Sequence, residues 1–261
     1  MRPKLVLCNF LNDIDELKDF AMVHGFSGID WSFDLDNLPK TPAEESAWVK
    51  KMSFFHPLEI RFHCPFNRMD FGHSDYAKSK AAIDVFSSII RLVSKADFDH
   101  VTVHIGLGHN STKLLSWKDT IVNLRQIVQL GAKQGVKVCL ENLVWGWTSK
   151  PNLFEKLIRK TGAFVTCDIG HAHACESVCT QQYSVGDFIA PHAGSVLNAH
   201  IYHTELAGVG HVPPEQINDI RYRLDLLQDA GCRWWVIEIR EPDGLLQTKK
   251  LIDGYLADQG M

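Results

Sequence analysis

Eight short apolar runs with strand character recur along the chain, and amphipathic stretches with the helical period separate most of them. The runs are Leu5–Phe10, Ser27–Ser32, Leu58–His63, His100–Ile105, Val136–Glu141, Phe164–Asp168, Leu197–Tyr202 and Trp234–Ile239. The helix-like stretches are Ile14–His24, Tyr76–Ala96, Trp117–Gln134, Asn152–Thr161, Pro214–Ala230 and Leu245–Leu256. Within Trp117–Gln134 the apolar positions Ile121, Leu124, Ile127, Val128 and Leu130 fall roughly three and four apart, the spacing of one helix face. Gly25, Gly135, Gly162 and Gly231 stand where helices should end before the next strand.

Repeated β-then-α units over 261 residues predict a single (β/α)8 TIM barrel spanning residues 1–261. The rival is an open doubly wound sheet, which would place a glycine-rich phosphate loop after the first strand. Asn9-Phe10-Leu11-Asn12 occupies that place and contains no glycine. No linker or low-complexity tract divides the chain. A hydrophobic content of 45% supplies a large core.

Chemistry is concentrated at the carboxyl ends of the runs. Glu141, Asp168, His200 and Glu238 fall at matching points in the last four. A charged or metal-binding group in a buried strand is costly unless compensated, and one divalent cation at a shared pole compensates all four. His63 and His104 fall at the same level in the third and fourth runs, followed by His171, His203 and Arg240 beside the later ones. Residues two apart on a strand share a face, so Arg240 should point into the cavity of Glu238 if the strand continues that far. With 13 histidines in the chain, His24, His56 and His192 read as ordinary core or surface groups. Trp31, Phe66, Trp145 and Trp147 read equally well as rim packing or as a platform for an apolar sugar face.

These motifs resemble the xylose-isomerase-like barrel superfamily, which contains sugar isomerases and epimerases, inosose dehydratases and the endonuclease IV group. The resemblance covers nearly the whole chain. It is carried by His63-Cys64-Pro65, His104-Ile105-Gly106, Glu141-Asn142, Asp168-Ile169-Gly170-His171, His200, Glu238 and the Gly-x-Gly turn Gly208-Val209-Gly210. It implies that Glu141, Asp168, His200 and Glu238 are metal ligands. It also implies that Glu141 and Glu238 are the proton-transfer groups of a sugar (or related polyol or keto acid) isomerase or epimerase working through a metal-stabilised enediolate. His63, His104, His171, His203 and Arg240 are then expected to bind substrate, with His63 and His104 alternatively opening a second metal site. Three carboxylates and an imidazole suit Mn²⁺, Mg²⁺ or Co²⁺ and tolerate Zn²⁺.

Two departures stand out. His203 occupies a position where family members often carry aspartate. The loop Val209-Gly210-His211 also lacks the carboxylate that the endonuclease branch uses for a third zinc, so a complete trinuclear site is not expected. An endonuclease IV-like zinc phosphoesterase acting on abasic DNA is the alternative activity, and a catalytically silent metal-binding barrel is the alternative class.

A formal charge of −4 gives no general attraction to nucleic acid or anionic membranes, so a small-molecule substrate is expected. No apolar run reaches the roughly 20 residues that span a bilayer. Seven cysteines without a tight framework, Cys139 and Cys167 among them, read as reduced thiols of a cytoplasmic protein; Cys175 and Cys179 are a weak metal pair. A homo-oligomer is compatible with all of this.

Overall fold

Eight parallel strands close on themselves. The computed structural model describes residues 2–109 and 111–260. The barrel strands are β1 (Lys4–Cys8), β2 (Gly28–Ser32), β3 (Glu59–His63), β4 (His100–Val103), β5 (Lys137–Glu141), β6 (Phe164–Asp168), β7 (Val196–Ile201) and, after a small hairpin, β10 (Trp234–Ile237). They neighbour one another in chain order, and β10 pairs with β1 to complete the ring. β8 (Thr204–Leu206) and β9 (Gly210–Val212) form the antiparallel hairpin above β7.

The long outer helices are α1 (Ile14–Val23), α2 (Pro42–Ser53), α3 (Tyr76–Lys95), α4 (Trp117–Lys133), α5 (Pro151–Thr161), α9 (Arg221–Asp229) and α10 (Pro242–Asp258). The shorter α6 (Ile169–Ala174), α7 (Glu176–Cys179) and α8 (Gly186–Ile189) lie between β6 and β7. Helix ends follow the expected chemistry: Gly162 adopts φ 76° past the end of α5, and its N–H reaches the carbonyl of Ile158 at 2.8 Å.

Alternation along the strands separates two cores. Ile29, Phe62, Val101, Val103, Leu140 and Ile237 point outward and pack against the helices, while Val6, Trp234 and Val236 cluster inside the ring. The interior floor is polar, and its threonine, asparagine and arginine groups are hydrogen-bonded to one another. Thr102 and Thr166 hydroxyls lie 2.8 Å apart, and the Asn198 amide donates to them at 3.2 and 3.1 Å. Arg61 donates to the Asn198 carbonyl oxygen and to the Leu197 carbonyl while lying on the Trp234 ring. This floor fixes the depth at which the next layer of inward side chains sits.

Several sequence expectations shift. The run Trp234–Ile239 pairs only to Ile237 and His100–Ile105 only to Val103, so Glu238 and His104 stand just past their strands. The stretch Pro214–Ala230 is helical only from Arg221, after a 3-10 turn at Ile217–Asp219. α2 is absent from the expected helices: it buries only Met52, so its apolar periodicity is weak, although the Thr41/Glu44 capping box marks its start. Among the described residues, no helix is long and apolar enough to cross a membrane.

Candidate metal centre

The inward residues of the layer above the floor are acidic or imidazole side chains. Glu141, Asp168, His200 and Glu238 each offer an atom such that all four lie within 4.8 Å of one another. His200 Nδ1 stands 3.2 Å from Glu141 Oε1 and 3.0 Å from Glu238 Oε2, with Asp168 Oδ2 at 3.9 Å. The Glu141, Asp168 and His200 side chains are at most 1% exposed, whereas Glu238, at 14%, opens toward the mouth.

A second group shares Glu141. Its Oε2 lies 3.0 Å from His104 Nε2 and 3.4 Å from His63 Nε2, and the two imidazole nitrogens are 3.1 Å apart. The two oxygens of Glu141 therefore face different histidine sets, which suits a carboxylate shared between adjacent cation sites.

A third group lies at the hairpin. The run ending in His211 has no carboxylate of its own, but Glu205 stands opposite His211 in the β8–β9 register. Glu205 Oε2 lies 3.1 Å from His171 Nε2, and Asp168, His171 and His211 form another metal-capable set. Sequence reasoning misses Glu205 because strand pairing, not sequence adjacency, brings it there. His211 stacks on Tyr202 at 3.9 Å, with its Nδ1 2.7 Å from the Glu238 carbonyl oxygen.

Local structure explains the motif residues. Asn142, directly after Glu141, bonds both backbone groups of Asp168 across the top of β5 and β6. Asp168 caps α6 by accepting from the His171 N–H at 2.7 Å, and Tyr202 donates to its other oxygen at 2.9 Å. Gly170 makes room for that tyrosine: a Cβ there would lie 2.0 Å from Tyr202 Cε2.

The charges are strongly coupled to the fold. Burial opposes ionisation of Glu141, but the His200 and His104 imidazoles hold it well below the usual carboxylate range. Glu238 is also held low, against its burial, chiefly by His200 and His211. Burial lifts Asp168 to about 6, with Glu141 adding to the rise against the pull of His171. Burial disfavours the charged form of His171, yet Asp168 and Glu205 raise it to about 10.

Other expected site residues are placed as follows. Arg240 is exposed and lines a cavity of about 540 Å³ with Val209, Gly210, His211, Pro213 and Glu238. His203 faces away from the cluster, its Nδ1 3.2 Å from Arg223 Nη2 and its ring against His173. Phe66 is core, against Phe86; Trp31 packs on Phe55, and Trp145 and Trp147 line a cavity at the rim. His192 packs on Phe154, and His24 on Phe20. Cys175 and Cys179 are free thiols directed at nearby carbonyls.

The donor set fits a divalent cation. Buried Glu141 Oε2 and both ring nitrogens of His200 lack a hydrogen-bond partner within the protein, and three carboxylates converge on one imidazole. A closed parallel barrel with such a centre at the carboxyl ends of its strands defines a class of metal-capable TIM barrels. Residues 19–256 match the xylose isomerase-like TIM barrel, and the chain belongs to that family. An uncharacterized protein of Methanocaldococcus jannaschii is 27% identical over 198 residues, covering 76% of this chain and 80% of its own. A solved D-tagatose 3-epimerase-like protein superposes with TM-score 0.73 at 16% identity over 97% of both chains. Endonuclease IV from Thermus thermophilus superposes with TM-score 0.69 at 14% identity, over 98% of this chain and all of its own. At such identities the two structures share the fold with this chain.

Proposed function

We propose that the protein is a metal-dependent isomerase or epimerase of a small sugar, polyol or keto acid. The observation that carries this reading is the convergence of Glu141 Oε1 and Glu238 Oε2 on His200 Nδ1, at 3.2 and 3.0 Å, beside a cavity of small-molecule size. Glu141, Asp168, His200 and Glu238 would hold one divalent cation, which when bound supplies Lewis acidity toward a substrate carbonyl. The neighbouring imidazoles favour the ionised form of both glutamates, so each stands ready to accept a proton. Glu238, the more open of the two, takes the proton from the substrate carbon on its carboxylate, leaving an enediolate. On the opposite face the enediolate is reprotonated through Glu141, which passes on a proton drawn from His104, whose Nε2 stands 3.0 Å from its Oε2; the proton taken by Glu238 leaves to solvent. His211 and Arg240 line the cavity where substrate oxygens would sit, and His171 stands behind His211. The likeness to an epimerase-like structure accords with this chemistry.

A second reading, phosphoester hydrolysis at a multinuclear centre, is favoured by the shared Glu141 and by the Asp168–His171–His211 set, with Glu205 3.1 Å from His171. The likeness to endonuclease IV accords with it. Two assays on the protein purified with Mn²⁺ or Zn²⁺ separate the readings. Incubation of a keto-sugar panel in deuterated water should place deuterium at the reacting carbon. Nicking of abasic DNA without any such exchange would reverse the ranking.

A further inference from the structure

Beneath the metal-capable quartet the buried side chains of Asp30, His63 and His200 meet. Each carries an atom without a hydrogen-bond partner in the protein: Asp30 Oδ1, His63 Nδ1 and His200 Nε2. Asp30 is 1% exposed and comes from the middle of β2, where it points into the barrel. Its Oδ2 lies 3.6 Å from His63 Nδ1 and 3.9 Å from His200 Nε2, and the two rings are 5.0 Å apart.

The other nitrogen of each ring is already committed by geometry. His63 Nε2 faces His104 Nε2 at 3.1 Å and Glu141 Oε2 at 3.4 Å, and His200 Nδ1 faces Glu141 and Glu238. A neutral imidazole that presents one nitrogen as a lone pair carries its proton on the other. For both rings that second nitrogen is the one turned toward Asp30. The other carboxylate near His63 Nδ1 is Glu238 Oε1, at 3.9 Å, and Glu238 serves the quartet through its second oxygen.

We infer that Asp30 is a positioning residue that accepts the ring N–H of His63 and of His200, and so orients one histidine in each of the two cation groups that share Glu141. The gaps of 3.6 and 3.9 Å are closed by a small carboxylate rotation or by one bridging water. A cation held by these three side chains fits less well, because it would take His200 Nε2 while the quartet takes Nδ1, which strips the ring of both protons. The role also accounts for a buried carboxylate in a strand interior, which is costly without partners. Partners behind metal-bound histidines typically hold about 10–100-fold of metal affinity.

This inference rests on the quartet being a metal centre, which Asp168→Ala tests separately. In Zn²⁺-loaded protein, nitrogen-resolved NMR of the histidine rings should show His63 protonated at Nδ1 and His200 at Nε2, with both N–H protons protected from exchange. His63 protonated at Nε2 instead would overturn the proposal, and this measurement needs no variant. In Asp30→Asn, competition against a fluorescent chelator should show Zn²⁺ affinity lowered about 10–100-fold, with both ring N–H resonances shifted. Affinity and resonances unchanged in Asp30→Asn, while Asp168→Ala loses metal, would refute the role of Asp30 alone. Unchanged binding in both variants would refute the metal centre as well.

Discussion

Asn142 and Asp168 are joined by two hydrogen bonds running in opposite directions. The Asn142 amide donates to the Asp168 carbonyl at 2.8 Å, and the Asp168 N–H donates to the Asn142 side-chain oxygen at 2.9 Å. Asn142 thus acts as a backbone surrogate that extends β5–β6 pairing past the last strand residues and sets the height of Asp168. Asn142→Ala leaves the buried Asp168 N–H unpaired, at about 1–3 kcal/mol, and removes one partner from its carbonyl, which as N-cap also accepts the first bond of α6. Urea unfolding should show a loss of that order with the m-value unchanged, and metal affinity should fall with it. A variant as stable as the wild type would show that water replaces the amide without loss.

Asp168→Ala should strip the quartet, because three donors remain where four converged. Elemental analysis after dialysis is the measurement. Full occupancy with unchanged affinity would remove Asp168 from the ligand set.

Most of the fold is legible because barrel strands are buried on both faces and so stand out as dense apolar runs. β6 has the expected bounds, Phe164–Asp168, for that reason. The strand-end residues of the last four runs do converge in space, since parallel strands in one ring place their carboxyl ends at one pole. What escapes the sequence follows different physics. α2 has a mostly solvated face, and the β8–β9 hairpin is too short to leave a period. Glu205 reaches His171 through cross-strand pairing, and Asp30 sits two residues before the end of its strand, where no positional signal marks it. His203 reads as a site residue from its neighbour His200, yet the chain leaves the barrel there and Arg223 takes its side chain.

Gly170 in Asp168-Ile169-Gly170-His171 is required by Tyr202 rather than by its own backbone. Gly170→Ala would drive a methyl into the tyrosine ring, and overpacking of this kind costs about 1–3 kcal/mol. The displaced ring would also give up the 2.9 Å bond from its hydroxyl to Asp168 Oδ2. Thermal unfolding should report the lost stability, and metal titration a weaker site. An unchanged melting temperature would show that the ring yields without loss.

Acid sensitivity should arise partly at the foot of the barrel. Burial, helped by the nearby Arg61, lowers the His100 imidazole to about 4, although Asp99 lies 2.5 Å from its Nδ1. The unfolded chain takes up this proton near pH 6.5 and the folded protein only near 4. The contribution is therefore fully present above about pH 6.5, falls as pH drops toward 4 and is flat below. Urea midpoints of wild type and His100→Asn across pH 7 to 4 should converge as pH falls. A constant difference would assign the acid loss to other groups.

Glu238 is assigned both a ligand and a base role, and the two can be separated. Glu238→Gln keeps the size and one oxygen donor but removes the basic carboxylate. Metal should bind more weakly yet measurably, while turnover of the true substrate falls by about 10²–10⁴-fold, the usual cost of a lost general base. Glu141→Gln should behave similarly, with a larger loss of metal because both Glu141 oxygens face imidazoles. Adding excess Mn²⁺ then discriminates between the roles. Saturating the weakened site cannot restore a missing base, so activity should stay low. Recovery of most of the activity in Glu238→Gln would make Glu238 a ligand only and leave Glu141 as the base.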